Sequence, residues 1–249
     1  MNKAEEKPGV EDHRVRVGAR RREATRLRLI ESALTVLAEK GPDTAAIEDF
    51  IAAAQVSRGT FYNYFRTTSE LLLAVASGMS DEILQVVDPA VLSIPDPVAR
   101  FTAGARLYMQ TALRYPMWGA FISRVGTRVA ARGQLIDIYL NRDLTDAIAT
   151  QRLAVGNVLV ARDVVLGTIF FGIETMLTEP THDHHAEHLM YCVLTGFGLP
   201  EAEARAVAFA PLPVLGAVQG PIFSRLTPVP ASPTVAKRMR KPATAKATK

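Results

Sequence analysis

The chain has 249 residues, 48% of them apolar, enough to bury a sizeable core in one large domain or two smaller ones. Charged residues and glycines cut its apolar runs below the ~18 residues of a membrane span, and its N-terminus is charged and unlike a secretory signal. A soluble, cytoplasmic protein without a membrane partner is therefore expected, and its net charge of +4 hides an acidic middle between basic ends.

At the N-terminus Arg14, Arg16, Arg20, Arg21, Arg22, Arg26 and Arg28 crowd together against one acid, Glu23. This is the electrostatic footprint expected beside a polyanion, or else a solvated basic face. Residues 1–18 read as a flexible basic arm. From about Ala19 to Lys40, Leu29, Ile30, Ala33, Leu34, Val36 and Leu37 form one helical stripe, and Gly41-Pro42 ends it. Thr44 is placed to cap a second helix with apolar Ile47, Phe50, Ile51 and Ala54 and early acids Glu48 and Asp49. After the short link Gln55-Val56, Ser57 reads as the N-cap of a third helix running to Phe65. Two short helices so closely joined, packed on the first through Ile47, Ile51, Val56, Phe61 and Phe65, describe a helix-turn-helix over residues 19–68.

Thr67 and Glu70 then form a capping box for a long helix ending before Asp88-Pro89. Asp96-Pro97 opens a helix to Arg114, Tyr115-Pro116 breaks it, and a further helix runs through Val129 to a break at Gly133. Helical patterns resume over 140–153, 162–178, 183–196 and 200–209, with no convincing strand alternation, so the fold class is all-α. Cys192 lies inside one of these patterns and reads as a buried, inert thiol, and it excludes an intrachain disulfide framework as the single cysteine. Residues 69–212 form the larger helical domain. Residues 213–249 are rich in proline, carry basic but no acidic side chains, and read as a disordered tail from about residue 220.

The run from Thr44 to Phe65, with Ile51-Ala-Ala-Ala54 and Val56-Ser-Arg-Gly-Thr-Phe-Tyr-Asn-Tyr-Phe65, followed by Ser69-Glu-Leu-Leu-Leu73, closely resembles the DNA-binding signature of TetR-family transcriptional regulators. The motif covers about residues 20–73. Gln55 departs from it where the family most often has glycine in the turn, and Thr68 where it often has a phosphate-reaching lysine. The resemblance implies double-stranded DNA with inverted half-sites as partner, a homodimer, and a small-molecule effector in the C-terminal half.

A helix entering the major groove N-terminus first aims unpaired amides at phosphate and its first outward side chains at base edges. Arg58 suits a bidentate guanine pair or a phosphate equally, Gly59 permits close backbone approach, and Thr60 meets a thymine methyl or a phosphate. At 100° per residue Phe61 and Phe65 share the inner face, leaving Tyr62 and Asn63 outward and Tyr64 flanking. The resemblance gives Tyr62 and Tyr64 to phosphates and lets Asn63 reach a base. Thr44, Ser57 and Thr68 offer hydroxyls to the DNA backbone or merely cap helices, and Arg22 approaches phosphate or the minor groove.

Between the long helix and the closing pair lie Phe101, Tyr108, Met109, Trp118, Phe121 and Ile122, which the resemblance makes a ligand pocket and ordinary packing makes a core. Arg124 and Arg128, four apart, would face an anionic effector. Phe170, Phe171, Leu189, Val193 and Phe197 belong to closing helices whose apolar cover exceeds what one monomer core needs, as a dimer interface requires, with small Gly167 and Gly172 permitting close approach. His182, His184, His185 and His188 read as solvated or capping rather than metal-binding, and no cofactor is expected. No phosphate loop, nucleophile elbow or metal set supports an enzyme. The expectation is a repressor released by a small effector, the alternative a helical dimerisation or scaffold protein with weak DNA affinity.

Overall fold

The structure is a computed structural model that describes residues 8–41, 44–130 and 133–225. The start of the expected arm, the Pro42 stop and residues 226–249 of the tail lie outside the described residues. Among those described, every regular element is a helix and there is no strand. It divides into two compact units, 1–75 and 76–249, rather than at the expected 68/69 boundary.

In the first unit, α1 (Pro8–Lys40) begins well before Ala19, so the later part of the expected arm is helical. Pro8 stands at the first helical position, where its missing N–H costs no intrahelical bond, and residues 9–17 contain no further proline. The predicted stripe is its buried face, with Leu29, Ile30, Ala33, Leu34, Val36 and Leu37 all inside. Gly41 ends it in the left-handed region (φ 76°), donating its N–H to the Leu37 carbonyl at 3.0 Å. Thr44 does not cap α2 (Ile47–Ala54); its hydroxyl turns back to the Lys40 carbonyl, and Ala46 occupies the cap position. In place of a capping hydroxyl, the Asp49 carboxylate accepts the Ala46 N–H at 3.0 Å and the Lys40 ammonium at 2.6 Å. The Lys40 bond, and then that amide, hold the Asp49 carboxyl below the usual carboxylate range. Gln55 closes α2 in the left-handed region at φ 52°, the conformation for which the related turns use glycine.

α3 (Arg58–Tyr62) is shorter than expected, since Asn63 caps it and residues 63–67 turn away from the helix axis. Phe65 still donates its N–H to the Phe61 carbonyl at 3.0 Å, which keeps both phenylalanines on the inner side. Thr67 Oγ1 accepts the Glu70 N–H at 3.1 Å, while the Glu70 carboxylate takes the Arg66 N–H at 2.6 Å, a shifted form of the predicted box that starts α4 (Thr68–Leu92). α4 runs through Pro89 instead of stopping before it. Proline lacks an N–H but has helical φ, and only one turn of helix remains beyond it, so few backbone bonds are lost.

The second unit is built around α5 (Pro97–Arg114), whose Asp96 cap accepts the Val98 N–H at 3.0 Å. Buried residues occur on nearly its whole circumference, the pattern of a helix enclosed by others. Around it lie α6 (Pro116–Val129), α7 (Leu135–Ala149), α8 (Val158–Thr178), α9 (His185–Gly196) and α10 (Glu201–Ala208). α7 begins earlier than the predicted 140 and ends earlier than 153, and α8 begins at Val158 because Asn157, not a residue near 162, accepts its first amides. Glycines on α6 seat α8: a Cβ on Gly119 would lie 2.7 Å from Leu177 Cδ1, and one on Gly126 would lie 2.6 Å from the Phe170 ring. Arg106, nearly buried on α5, donates to Glu187 of α9 at 2.8 Å and to the Ala210 carbonyl at 2.7 Å. Removing one partner of such a buried pair typically costs about 3–5 kcal/mol.

The tail differs most from expectation. Residues 220–225 do not stay free: Ile222 and Phe223 are buried, and their amides donate to the Glu82 carboxylate. Two large apolar side chains and a buried acceptor outweigh the local proline-rich composition.

Candidate functional site

The polar side of α3 and its neighbours forms the first candidate site. Ser57 Oγ accepts the Thr60 N–H at 3.0 Å and shares a 2.8 Å hydrogen bond with Thr60 Oγ1, so this hydroxyl serves as the N-cap. Behind the helix Phe61 and Phe65 are buried with ring centroids 6.2 Å apart. On the outer side Arg58, Gly59, Tyr62 and Asn63 are exposed, and Thr60 and Tyr64 are half-buried.

Two cations are steered by aromatic rings. The Arg58 guanidinium lies 5.9 Å from the Tyr62 ring centroid and 3.3 Å from the Glu48 carboxylate, while that of Arg22 lies 6.0 Å from the centroid of Tyr64. Glu48 was missed by sequence reasoning as a partner of Arg58, because the turn that brings α2 to α3 creates the contact. Gly18, Arg21, Arg22 and Thr25 of α1 face Thr60, Asn63 and Tyr64 across an open cleft. The i, i+3 and i+7 spacing of 18, 21 and 25 is the signal by which this second wall is found. Thr44 stays exposed on the α1–α2 turn, and Thr68 is the first residue of α4, behind the Thr67 cap.

The second candidate site is a cavity of about 50 Å³ within the second unit. Leu84, Val87, Val91, Ala105, Ile136, Leu140 and Ile169 supply apolar wall, Phe101, Tyr108 and Tyr139 supply rings, and Asp88 and Asp143 supply carboxylates. Only Phe101 and Tyr108 of the expected ligand residues line it. Met109, Trp118, Phe121 and Ile122 are packed elsewhere in the core, and Arg124 and Arg128 are exposed, so the expected anion-greeting pair does not reach this cavity. The difference has a simple cause: on a helix buried all round, periodicity does not say which side meets the space.

The carboxylates belong to a network drawn from three helices. Arg142 donates to Asp88 at 2.6 Å and to Asp143 at 2.8 Å, and Arg100 donates to Asp143 at 2.8 Å and to Asp146 at 2.6 Å. The hydrogen bonds that Arg142 donates to Asp143 and to Asp88 raise its guanidinium above its already high range and keep it charged. Tyr108 spans the core to share a 2.7 Å hydrogen bond with Ser80, and its burial pushes its phenol up, so it stays a neutral hydroxyl. The cavity therefore offers hydrogen-bond acceptors in an apolar setting.

The third feature is the outer face of α8. Val160, Val164 and Phe171 are exposed, Phe171 to 78%, with Gly167 between them. The other expected interface residues are used inside the unit. Phe170 covers Gly126, Leu189 covers Gly172 with its Cδ1 2.6 Å from where a Cβ would stand, and Val193 and Phe197 are buried. Gly172 thus serves packing between α8 and α9, while Gly167 has open space beside it. Cys192 is exposed rather than buried, on the outward side of α9. Among the described residues no group of three or more His, Cys, Asp or Glu is arranged to hold a metal ion.

Residues 29–75 match the family described as bacterial regulatory proteins, tetR family, and residues 96–209 match the tetracyclin repressor-like C-terminal domain. The solved structure of RolR in complex with resorcinol is 30% identical, covers 80% of this chain and 100% of its own, and superposes with a TM-score of 0.69. RolR without ligand gives 28% identity and a TM-score of 0.68, covering 77% and 100%. The transcriptional regulator AcuR of Cereibacter sphaeroides is 28% identical over 105 residues, 41% of this chain. The uncharacterized HTH-type transcriptional regulator YvdT of Bacillus subtilis is 33% identical over 60 residues, 24% of this chain. The chain spans 48% and 31% of the lengths of these two curated relatives.

Proposed function

The chain belongs to the TetR family of bacterial transcriptional regulators, and from that premise we propose that it binds operator DNA as a two-fold homodimer and is released by a small hydroxylated aromatic effector. The observation that carries the DNA reading is the division of residues 57–65 into a buried side, Phe61 and Phe65, and a polar side, Arg58, Tyr62 and Asn63. In this reading Arg58 and Asn63 meet base edges, while Arg22, Thr60, Tyr62 and Tyr64 hold phosphates on either side of the α1–α3 cleft. Pairing of two recognition helices on inverted half-sites raises affinity beyond what one supplies. The exposed apolar stripe of α8 supports a second copy as the partner.

The effector reading rests on the cavity. The wall is mostly apolar, and the Asp88 and Asp143 carboxylates at it are already paired with Arg142 and Arg100, so a neutral ring whose hydroxyl groups join this network fits the space. RolR, solved with resorcinol, supports the same class. Release from DNA requires the effector to bind the two functional states with different affinity, not merely to bind.

A gel shift on the DNA upstream of the chain's own gene, repeated at rising salt, tests both parts. Arg58→Ala together with Tyr62→Ala is expected to remove sequence-selective binding, leaving a salt-sensitive residue of nonspecific affinity. Resorcinol is expected to weaken wild-type binding. Gly104 lines the cavity and has nothing within 4 Å of where its Cβ would be, so Gly104→Leu fills the space and is expected to keep DNA binding while losing the response. Equal affinity of wild type and double variant for every duplex would overturn the DNA reading; an intact resorcinol response in Gly104→Leu would overturn the cavity reading.

A further inference from the structure

After α10, residues 211–219 have no regular structure and make no hydrogen bond among the described residues. The chain then docks again over residues 220–225 on a seat shaped in three ways. Glu82 on α4, 7% exposed, accepts the Ile222 N–H at 3.0 Å through one oxygen and the Phe223 N–H at 2.8 Å through the other. Gly78 leaves a notch, filled by Ile222, whose Cδ1 lies 2.6 Å from where a Cβ would stand. Gly220 passes so close over the Glu82 carboxyl that any side chain there would collide with it.

The third part is a box of rings. Phe223 meets Tyr115 edge-on with centroids 4.8 Å apart and Trp118 at 6.4 Å, and Trp118 in turn lies edge-on to Tyr108 at 4.8 Å. Trp118 is fully buried, yet its indole N–H has no acceptor among the described residues. An acceptor for two successive amides, an aliphatic notch and an aromatic box together have the form of a peptide-binding site. The peptide here is the chain's own, held by a slack connection.

We propose that this seat is a second ligand site of the chain, for a single aromatic ring bearing a hydrogen-bond acceptor, and that residues 220–225 occupy it as a tethered competitor. A ring in place of Phe223 keeps the edge-on contacts with Tyr115 and Trp118, and its acceptor satisfies the indole N–H, which phenylalanine cannot do. The tether makes Phe223 a competitor at high effective concentration, so the site is masked while the strap is docked. The inference is independent of the first cavity, whose lining includes none of Tyr115, Trp118 and Phe223.

Trp118 is the only tryptophan and meets Phe223 directly, so tryptophan emission of the full-length protein follows the docking of the strap, and the measurements are made in the Gly104→Leu background, which closes the other cavity. In that background Phe223→Ala is expected to shift the emission to the red and to bind phenol about tenfold or more tightly than the chain with Phe223 intact, because the tethered ring no longer competes. Phe223→Leu, which still fills the box, is expected to resemble the chain with Phe223 intact. Adding the peptide Gly-Pro-Ile-Phe-Ser-Arg to Phe223→Ala is expected to displace phenol and restore the emission of the intact strap. If Phe223→Ala does not fold, Glu82→Gln loosens the same strap and is held to the same pattern. Equal phenol affinity with the strap intact and loosened, or no competition by the peptide, would show the strap to be a permanent part of the core. DNA binding and resorcinol response enter none of these readouts, so failure of the function proposed above leaves this result intact.

Discussion

Gln55 sits in the left-handed region at φ 52° while its N–H donates to the Ala52 carbonyl at 3.2 Å and that of Val56 to the Ile51 carbonyl at 3.3 Å. The turn between α2 and α3 thus keeps the geometry that glycine normally provides, with a side chain in place. The strain of an L-residue there is about 1–2 kcal/mol, and glycine recovers part of it after its larger entropy loss on folding. Gln55→Gly is expected to stabilise the protein by about 0.5–1 kcal/mol in urea unfolding, without change in operator preference. A lower midpoint would mean that the Gln55 side chain holds the turn through contacts of its own. The departure of this residue from the related pattern was legible in the sequence, but its strain became visible only as a backbone angle. The same scale separates Ser57 from Thr44. Both look like N-caps by type and spacing, yet Ser57 bonds the Thr60 amide and Thr44 bonds backwards to Lys40. α2 starts at Ile47, so its cap position falls on Ala46 and the Thr44 hydroxyl stands two residues before it.

At the scale of elements, helix ends were largely legible because caps and prolines act within one turn. Asp96-Pro97, Pro116, Gly133 and Pro180 mark boundaries near where the pattern puts them. Which face of a helix meets which neighbour was not legible for α5, α8 and α9, whose apolar residues surround the axis. The pairing of α6 with α8 depends on small residues meeting large ones. Gly126→Ala would gain about 1 kcal/mol in helix propensity but forces a Cβ into the Phe170 ring, and overpacking of this kind costs about 1–3 kcal/mol. The variant is therefore expected to unfold at lower denaturant, and Phe170→Leu in the same chain to restore part of the loss. A stabilised Gly126→Ala would mean that the Phe170 ring moves aside freely.

For the whole molecule, the stripe of Val160, Val164 and Phe171 is exposed apolar surface among the described residues. Burying a phenylalanine of this size stabilises by about 1.5–3 kcal/mol per copy, and a charge there would have to be desolvated unpaired. Phe171→Glu is expected to halve the molar mass in sedimentation equilibrium and to weaken operator binding, with helicity unchanged. A dimer that survives this substitution would place the interface on another face. The ion-pair network at the cavity belongs to this scale too, since Asp88 and Arg142 meet across 54 positions of sequence, and Glu82 holds amides 140 and 141 positions away.

The amino-acid order alone determined the helical class, the amphipathic division of residues 57–65 and most helix boundaries, because capping, proline geometry and periodic burial act over a few residues. Tertiary structure alone decided which aromatics line a cavity, that Asp88 and Asp143 rather than Arg124 and Arg128 face it, that Phe171 and not Phe170 is outward, and that Ile222 and Phe223 dock. Those outcomes depend on which distant side chains compete for the same buried volume and the same hydrogen bonds. Such competition is settled only when the whole chain has closed on itself.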